Sequence, residues 1–164
     1  MNDQNASPLE AKKVPNDSGD NVIALAAAIR ERGNAFIVAA LAERGIGDIL
    51  PAHGAVLQAL FAESPIQMRA LAERIGRKKN TVTGLIDTLE ARGYCVREAD
   101  PDDRRAQRLR LTEKGAAMRQ VQTEISAELR RAAWAGIDAE DRTACMRALE
   151  KVLENLGRGK ERGG

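Results

Sequence analysis

Three consecutive cations, Arg77-Lys78-Lys79, run directly into Asn80-Thr81 and Thr83, and a second basic group, Arg104-Arg105, follows Asp103 further along the chain. Guanidinium and ammonium groups bind phosphate, and small amide or hydroxyl side chains beside them reach base edges without a clash. Cations at the start of a helix oppose its dipole by about 0.3–1 kcal/mol each at an exposed end. Three in a row are relieved by a bound anion, and helix N-terminal N–H groups add to that attraction. A solvated charge run is the competing reading; a polyanion accounts better for the position. Other chemistry is scarce. The chain has one histidine, His53, and two distant cysteines, Cys95 and Cys145, without C-x-x-C spacing. It has no glycine-rich phosphate loop and no nucleophile motif, so neither catalysis, a metal nor a cofactor is expected.

The elements around these residues place them together. Ser64-Pro65 ends one helix, and Met68, Leu71, Ala72 and Ile75 share a face of a short helix from Gln67 to Ile75. Gly76 supplies a tight turn. A second helix then runs from near Lys78 to Arg92, with Val82, Leu85, Ile86 and Leu89 inward and Lys79, Asn80, Thr81, Thr83 and Gly84 outward, Asp87 and Thr88 following. Gly93 closes it. The period then changes: residues 94–98 and 107–111 read as strands, joined through the turn residues Asp100-Pro101-Asp102-Asp103. Two short helices joined by a glycine turn and followed by a hairpin form a winged helix-turn-helix, whose second helix fits the major groove of double-stranded DNA.

The flanks are helical. Ser18 or Asp20 can cap a first helix running to about Arg44, apolar on more than one side through Ile23, Leu25, Ile29, Phe36, Ile37 and Leu41. Such breadth calls for burial against several neighbours, a second subunit among them. Pro51 suits the first position of the next helix. Thr112 caps a long helix aligned on Met118, Val121, Ile125 and Leu129. Asp138 caps a last one carrying Leu149, Val152, Leu153 and Leu156, with Asp141 as its capping-box partner. The expected fold is mainly α with a small β-hairpin wing, the winged helix-turn-helix (50–112) lying between dimerisation helices (20–49 and 113–157). Residues 1–19 and 158–164 read as disordered tails.

Composition agrees. Of 164 residues, 43% are hydrophobic and 30% charged, while aromatic residues number only Phe36, Phe61, Tyr94 and Trp134, so the core must be aliphatic. The net charge of +2 conceals a division: Arg69 to Arg119 holds 13 Lys and Arg against 8 Asp and Glu, and the remainder 13 against 16. A basic middle between acidic flanks suits a segment that faces nucleic acid. No apolar run is long enough to span a membrane and no signal-peptide core is present, so a cytoplasmic protein is expected.

The stretch Leu71-Ala72-Glu73-Arg74-Ile75-Gly76, then Asn80-Thr81-Val82-Thr83, Leu85 to Gly93, Asp100-Pro101-Asp102-Asp103-Arg104-Arg105 and Leu111-Thr112-Glu113-Lys114-Gly115 resembles the MarR (multiple antibiotic resistance regulator) family. The resemblance implies a homodimer in which the first, fifth and sixth helices interlock, a repressor binding a pseudo-palindromic operator with half-sites roughly 34 Å apart. It implies that Arg105 enters the minor groove braced by Asp103. Arg104, Arg108 and Arg110 are further candidates for DNA contact, and strand alternation puts Arg108 and Arg110 on one face, where the partner is a base, phosphate or solvent. It also implies a small-molecule effector, often an aromatic acid, in a crevice between the dimer helices and the winged segment, for which Phe36 and His53 are candidates. Two departures stand out: Gly84 occupies a position where the family often has Arg, and Arg77-Lys78 replaces a frequent apolar–acidic pair. Relatives that sense oxidants use a cysteine in the first helix; this first helix has none, and Cys95 and Cys145 read as small, semi-buried hydrophobes. An architectural DNA-binding protein without an effector is the alternative function.

Overall fold

The structure is a computed structural model that describes residues 21–101, 103 and 106–158. Among these residues six helices and three short strands follow in the order α1 (Val22–Glu43), α2 (Pro51–Ala62), β1 (Ile66–Gln67), α3 (Met68–Ile75), α4 (Lys79–Ala91), β2 (Cys95–Ala99), β3 (Gln107–Leu111), α5 (Glu113–Ala133) and α6 (Ala139–Arg158).

Local chemistry sets most boundaries. Asn21, rather than either expected residue, caps α1: its side chain accepts from the Ala24 N–H at 2.9 Å. Ser18 and Asp20 lie outside the described residues. Pro51 opens α2, and Gly76 and Gly93 close α3 and α4 with φ of +60° and +73°. Thr112 accepts from the Gly115 N–H at 3.1 Å and donates to the Gly93 carbonyl at 2.6 Å, which starts α5 and pins it to the wing root. The Asp138 side chain accepts from the Asp141 N–H at 2.8 Å.

The wing is one strand richer than the expected hairpin. β3 lies between β1 and β2 in an antiparallel sheet, with Ile66 opposite Leu109 and Arg97 opposite the same residue on the other side. Gln67, expected inside the short helix, is instead the last residue of β1 and the N-cap of α3. Two residues directly after a proline show no period, so nothing in the pattern announced them.

The core gathers where α2, α3, α4 and the sheet meet. Val56, Leu57, Leu60, Ile66, Leu71, Val82, Ile86, Leu89 and Leu109 are all buried, and Ala40, Leu41, Met118 and Ile125 extend the same cluster toward α1 and α5. The two outer helices are finished differently. On α1, Ile23, Leu25 and Ile29 stay half or more exposed, and on α6 Leu153 is 73% exposed with Leu149 and Leu156 beside it. At the corner between α5 and α6, the Arg142 guanidinium lies 5.4 Å from the centre of the Trp134 ring, and Gly136 turns the chain with φ of +76°.

Candidate nucleic-acid interface

Helix α4 buries Val82, Ile86 and Leu89 and turns its other side outward. Arg77, Lys78, Asn80 and Thr81 are exposed at its start, and Thr83 is half-buried one turn on. Lys78 is the N-cap, makes no side-chain cap, and no acidic residue stands in the first turn. The amide end of α4 thus combines exposed N–H dipoles with cations and no internal anion. Lys79 opens the helix; its side chain is outside the description. A Cβ added to Gly84 would meet nothing within 4 Å, so the outer face of α4 is open at the position where the resemblance expects arginine.

The wing stands beside this face. Its base is fixed by a carboxylate read from sequence only as turn chemistry. Asp100 is buried, accepts from the Gln67 side chain at 2.6 Å, and pairs with the Arg108 guanidinium at 2.9 Å. Backbone bonds from Asp100 to Ala106 and from Ala106 to Asp103 close the turn above it. Arg108, expected at phosphate or solvent, therefore has its Nε on the buried Asp100, because that carboxylate needs a charged partner. Arg110 pairs with Glu98 at 2.9 Å on the same face of the sheet. Asp103 is exposed at the tip. Arg104 and Arg105 lie outside the described residues.

Two further groups hold the site and gave no local signal. Arg97 on β2 pairs with Asp87 of α4 at 2.5 Å and with Glu90, whose other oxygen accepts from the Arg97 N–H at 2.9 Å. The Tyr94 hydroxyl donates to Asp48 at 2.7 Å, and Lys114 donates to the same carboxylate at 3.2 Å while lying 4.0 Å from the Tyr94 ring centre. The tyrosine hydrogen bond holds the Asp48 carboxyl below its ordinary range, although burial opposes it. Burial first, and then Asp48, push the Tyr94 phenol up to about 12.

The expected crevice residues sit elsewhere. A cavity of about 200 Å³ opens between α1, α2 and α5, walled by Ile37, Leu41, Pro51, Ile125 and Leu129 with Gln58 and Gln122 at its edge. Neither Phe36 nor His53 lines it. His53 is buried and turns back on its own helix start, its Nδ1 2.9 Å from the Leu50 N–H; burial holds its pKa below the ordinary value. Cys95 is fully buried and its thiol is pushed up to about 11, chiefly by burial, which removes thiolate reactivity. Cys145 is exposed rather than semi-buried, because it lies on α6, whose faces the single chain leaves open. Among the described residues no group of three His, Cys, Asp or Glu is placed to hold a metal, and no helix is long and apolar enough to cross a membrane.

The sequence profile described as the MarR family matches residues 50–106, from the start of α2 to the far side of the wing. The regulator YkoM of Bacillus subtilis, described as an uncharacterized HTH-type transcriptional regulator, is 38% identical over 65 residues, 40% of this chain and 42% of its own length. The matched region is thus about half the length of the curated relatives. Solved structures share the fold over more of the chain. A mutant MarR of E. coli complexed with operator DNA superposes with a TM-score of 0.69 at 22% identity, over 79% of this chain and 91% of its own. The PcaV transcriptional regulator of Streptomyces coelicolor, in complex with its natural ligand, gives 0.69 at 22% identity, over 87% and 98%. The matched segment holds the whole helix–turn–helix and the first wing strand, and the flanking helices complete the fold of those solved structures: residues 50–106 are similar to the MarR family, within a chain that folds as a winged helix-turn-helix protein.

Proposed function

We propose that the protein is a DNA-binding transcriptional regulator, not an enzyme, that acts as a homodimer repressing from a pseudo-palindromic operator. The observation that carries the reading is the outward face of α4: exposed Arg77, Lys78, Asn80 and Thr81 at an uncapped amide end, with a braced wing alongside. Lys79, Thr83, Asp103, Arg104 and Arg105 belong to the same proposed DNA surface, with Arg105 in the minor groove. Arg108 serves it from behind, through Asp100. The homodimer is supported by the apolar residues that α1 and α6 leave uncovered, Ile23, Leu25, Ile29, Leu149, Leu153 and Leu156. Faces of that kind on two long helices call for a partner surface of the same character. Release by a small-molecule effector is supported by the cavity between α1, α2 and α5, since an occupant there would press the winged segment away from the pairing helices.

Protection mapping of the DNA upstream of the protein's own gene tests the reading. A symmetric footprint bound ~10³-fold more tightly than random duplex at the same salt supports an operator-specific regulator. Near-equal affinity for both duplexes overturns it in favour of an architectural protein.

A further inference from the structure

The groove between α3–α4 and the wing, where a phosphate strand would pass if the DNA-binding reading holds, is lined by three carboxylates: Glu73, Asp87 and Glu98. Each is held by an arginine: Glu73 by Arg69 at 2.9 Å, Asp87 by Arg97 at 2.5 Å, and Glu98 by Arg110 at 2.9 Å. Two of these pairs join neighbours within a single motif, Arg69 with Glu73 one turn apart on α3 and Glu98 with Arg110 across the hairpin. The third crosses between elements. Asp87 lies one turn beyond Thr83 and Gly84 on α4, hence near the face that would meet DNA, and its side chain is 59% exposed. Glu90 follows one turn later.

We propose that Arg97 is a positioning residue for DNA binding, acting through Asp87 and Glu90 by cancelling charge that the recognition helix would otherwise present to the phosphate backbone. Its guanidinium spends one nitrogen on Asp87 and another on Glu90, and its own backbone N–H is bound to Glu90 as well. The side chain lines the same groove but is only 20% exposed, with its guanidinium engaged by the two carboxylates. Burial alone would lower the guanidinium's proton affinity, and the two carboxylates outweigh it, so the arginine stays charged at any working pH. An unbalanced carboxylate on this face acts on DNA through unscreened Coulomb repulsion, which is strongest at low salt. The effect is independent of base sequence, so random duplex suffices as the probe.

The test compares the full chain with Arg97→Gln and with Arg97→Gln/Asp87→Asn/Glu90→Gln on a labelled random-sequence duplex at low salt. Arg97→Gln should weaken binding by roughly tenfold, and the triple variant should bind at least as tightly as wild type, because the charges left unmasked are gone. A triple variant as weak as Arg97→Gln overturns the proposal and assigns the arginine a role in holding the fold or touching DNA directly; so does an Arg97→Gln protein that binds like wild type. If Arg97→Gln does not fold, the triple variant alone decides: binding at least as tight as wild type supports masking, and weaker binding overturns it. Failure of the wild-type protein to bind any duplex would instead remove the DNA-binding reading on which the proposal rests.

Discussion

Gly115 lies in the first turn of α5, directly against the wing root, and its replacement by alanine tests how the winged segment is fixed to the long helix. A Cβ at this position would overlap the Tyr94 carbonyl oxygen and come 2.9 Å from both the Tyr94 carbonyl carbon and Leu111 Cδ2. That carbonyl cannot swing aside at no cost, because it accepts the Thr112 N–H at 3.1 Å. Relief must come from sliding α5 outward, which stretches the Thr112 bonds to Tyr94 and Gly93 and the Lys114 bond to the Arg92 carbonyl. Three hydrogen bonds at about 0.5–1.5 kcal/mol each give about 1.5–4.5 kcal/mol at risk. Overpacking adds about 1–3 kcal/mol. Against this, alanine is favoured over glycine within a helix by about 1 kcal/mol. The net expectation is a destabilisation of about 1.5–6.5 kcal/mol, a large share of the ~5–15 kcal/mol that holds a typical domain. Urea unfolding followed by far-ultraviolet circular dichroism, at matched protein concentration, measures it. A variant as stable as wild type, or more so, would show that helix propensity dominates and that the close approach carries no weight.

Other expectations follow from single positions. Gly84→Arg, which enters open space on the outer face of α4, should tighten duplex binding several-fold at low salt with little change in the melting temperature, read by a fluorescence-polarisation titration. Burial lowers the His53 pKa on folding, so as pH falls through about 6.5 the unfolded chain takes up a proton before the folded one does. Stability should therefore fall as pH drops below that value, and His53→Gln should flatten this part of a melting-temperature profile. Leu153→Asp places a charge on the exposed apolar stripe of α6 and should convert the proposed homodimer to monomers in sedimentation; an unchanged mass would remove α6 from the proposed pairing surface.

The parts of this fold visible in the sequence are those whose cause is local. Pro51, Gly76, Gly93, Thr112 and Asp138 act on backbone within a few residues of themselves, and each bounds a helix as its chemistry requires. The inward row Val82, Ile86 and Leu89 is periodic and therefore legible. What escaped depends on chain folding back. Asp100 looks like any turn aspartate until Gln67 arrives from β1 to meet it. The partners of Arg97 lie on the preceding helix, and Tyr94 reaches Asp48 across a separation of 46 residues, neither of which any period records. A lone polar residue near a helix start does not reveal whether it faces solvent, a crevice or its own amides; the His53 ring accepts from the Leu50 N–H. The exposure of Cys145 on α6 is not legible either, because an amphipathic stripe says that a face will be covered, not by which chain.

Trp134, at the corner where α5 gives way to α6, is the chain's single tryptophan, and a guanidinium lies over its ring. All indole emission therefore originates from one hinge between two helices that are proposed to pair. A change in the angle of that corner, or exchange of its subunits, would register as a shift in colour and quenching without any attached dye. The molecule carries its own optical gauge of the proposed pairing, placed away from the surface proposed to read DNA.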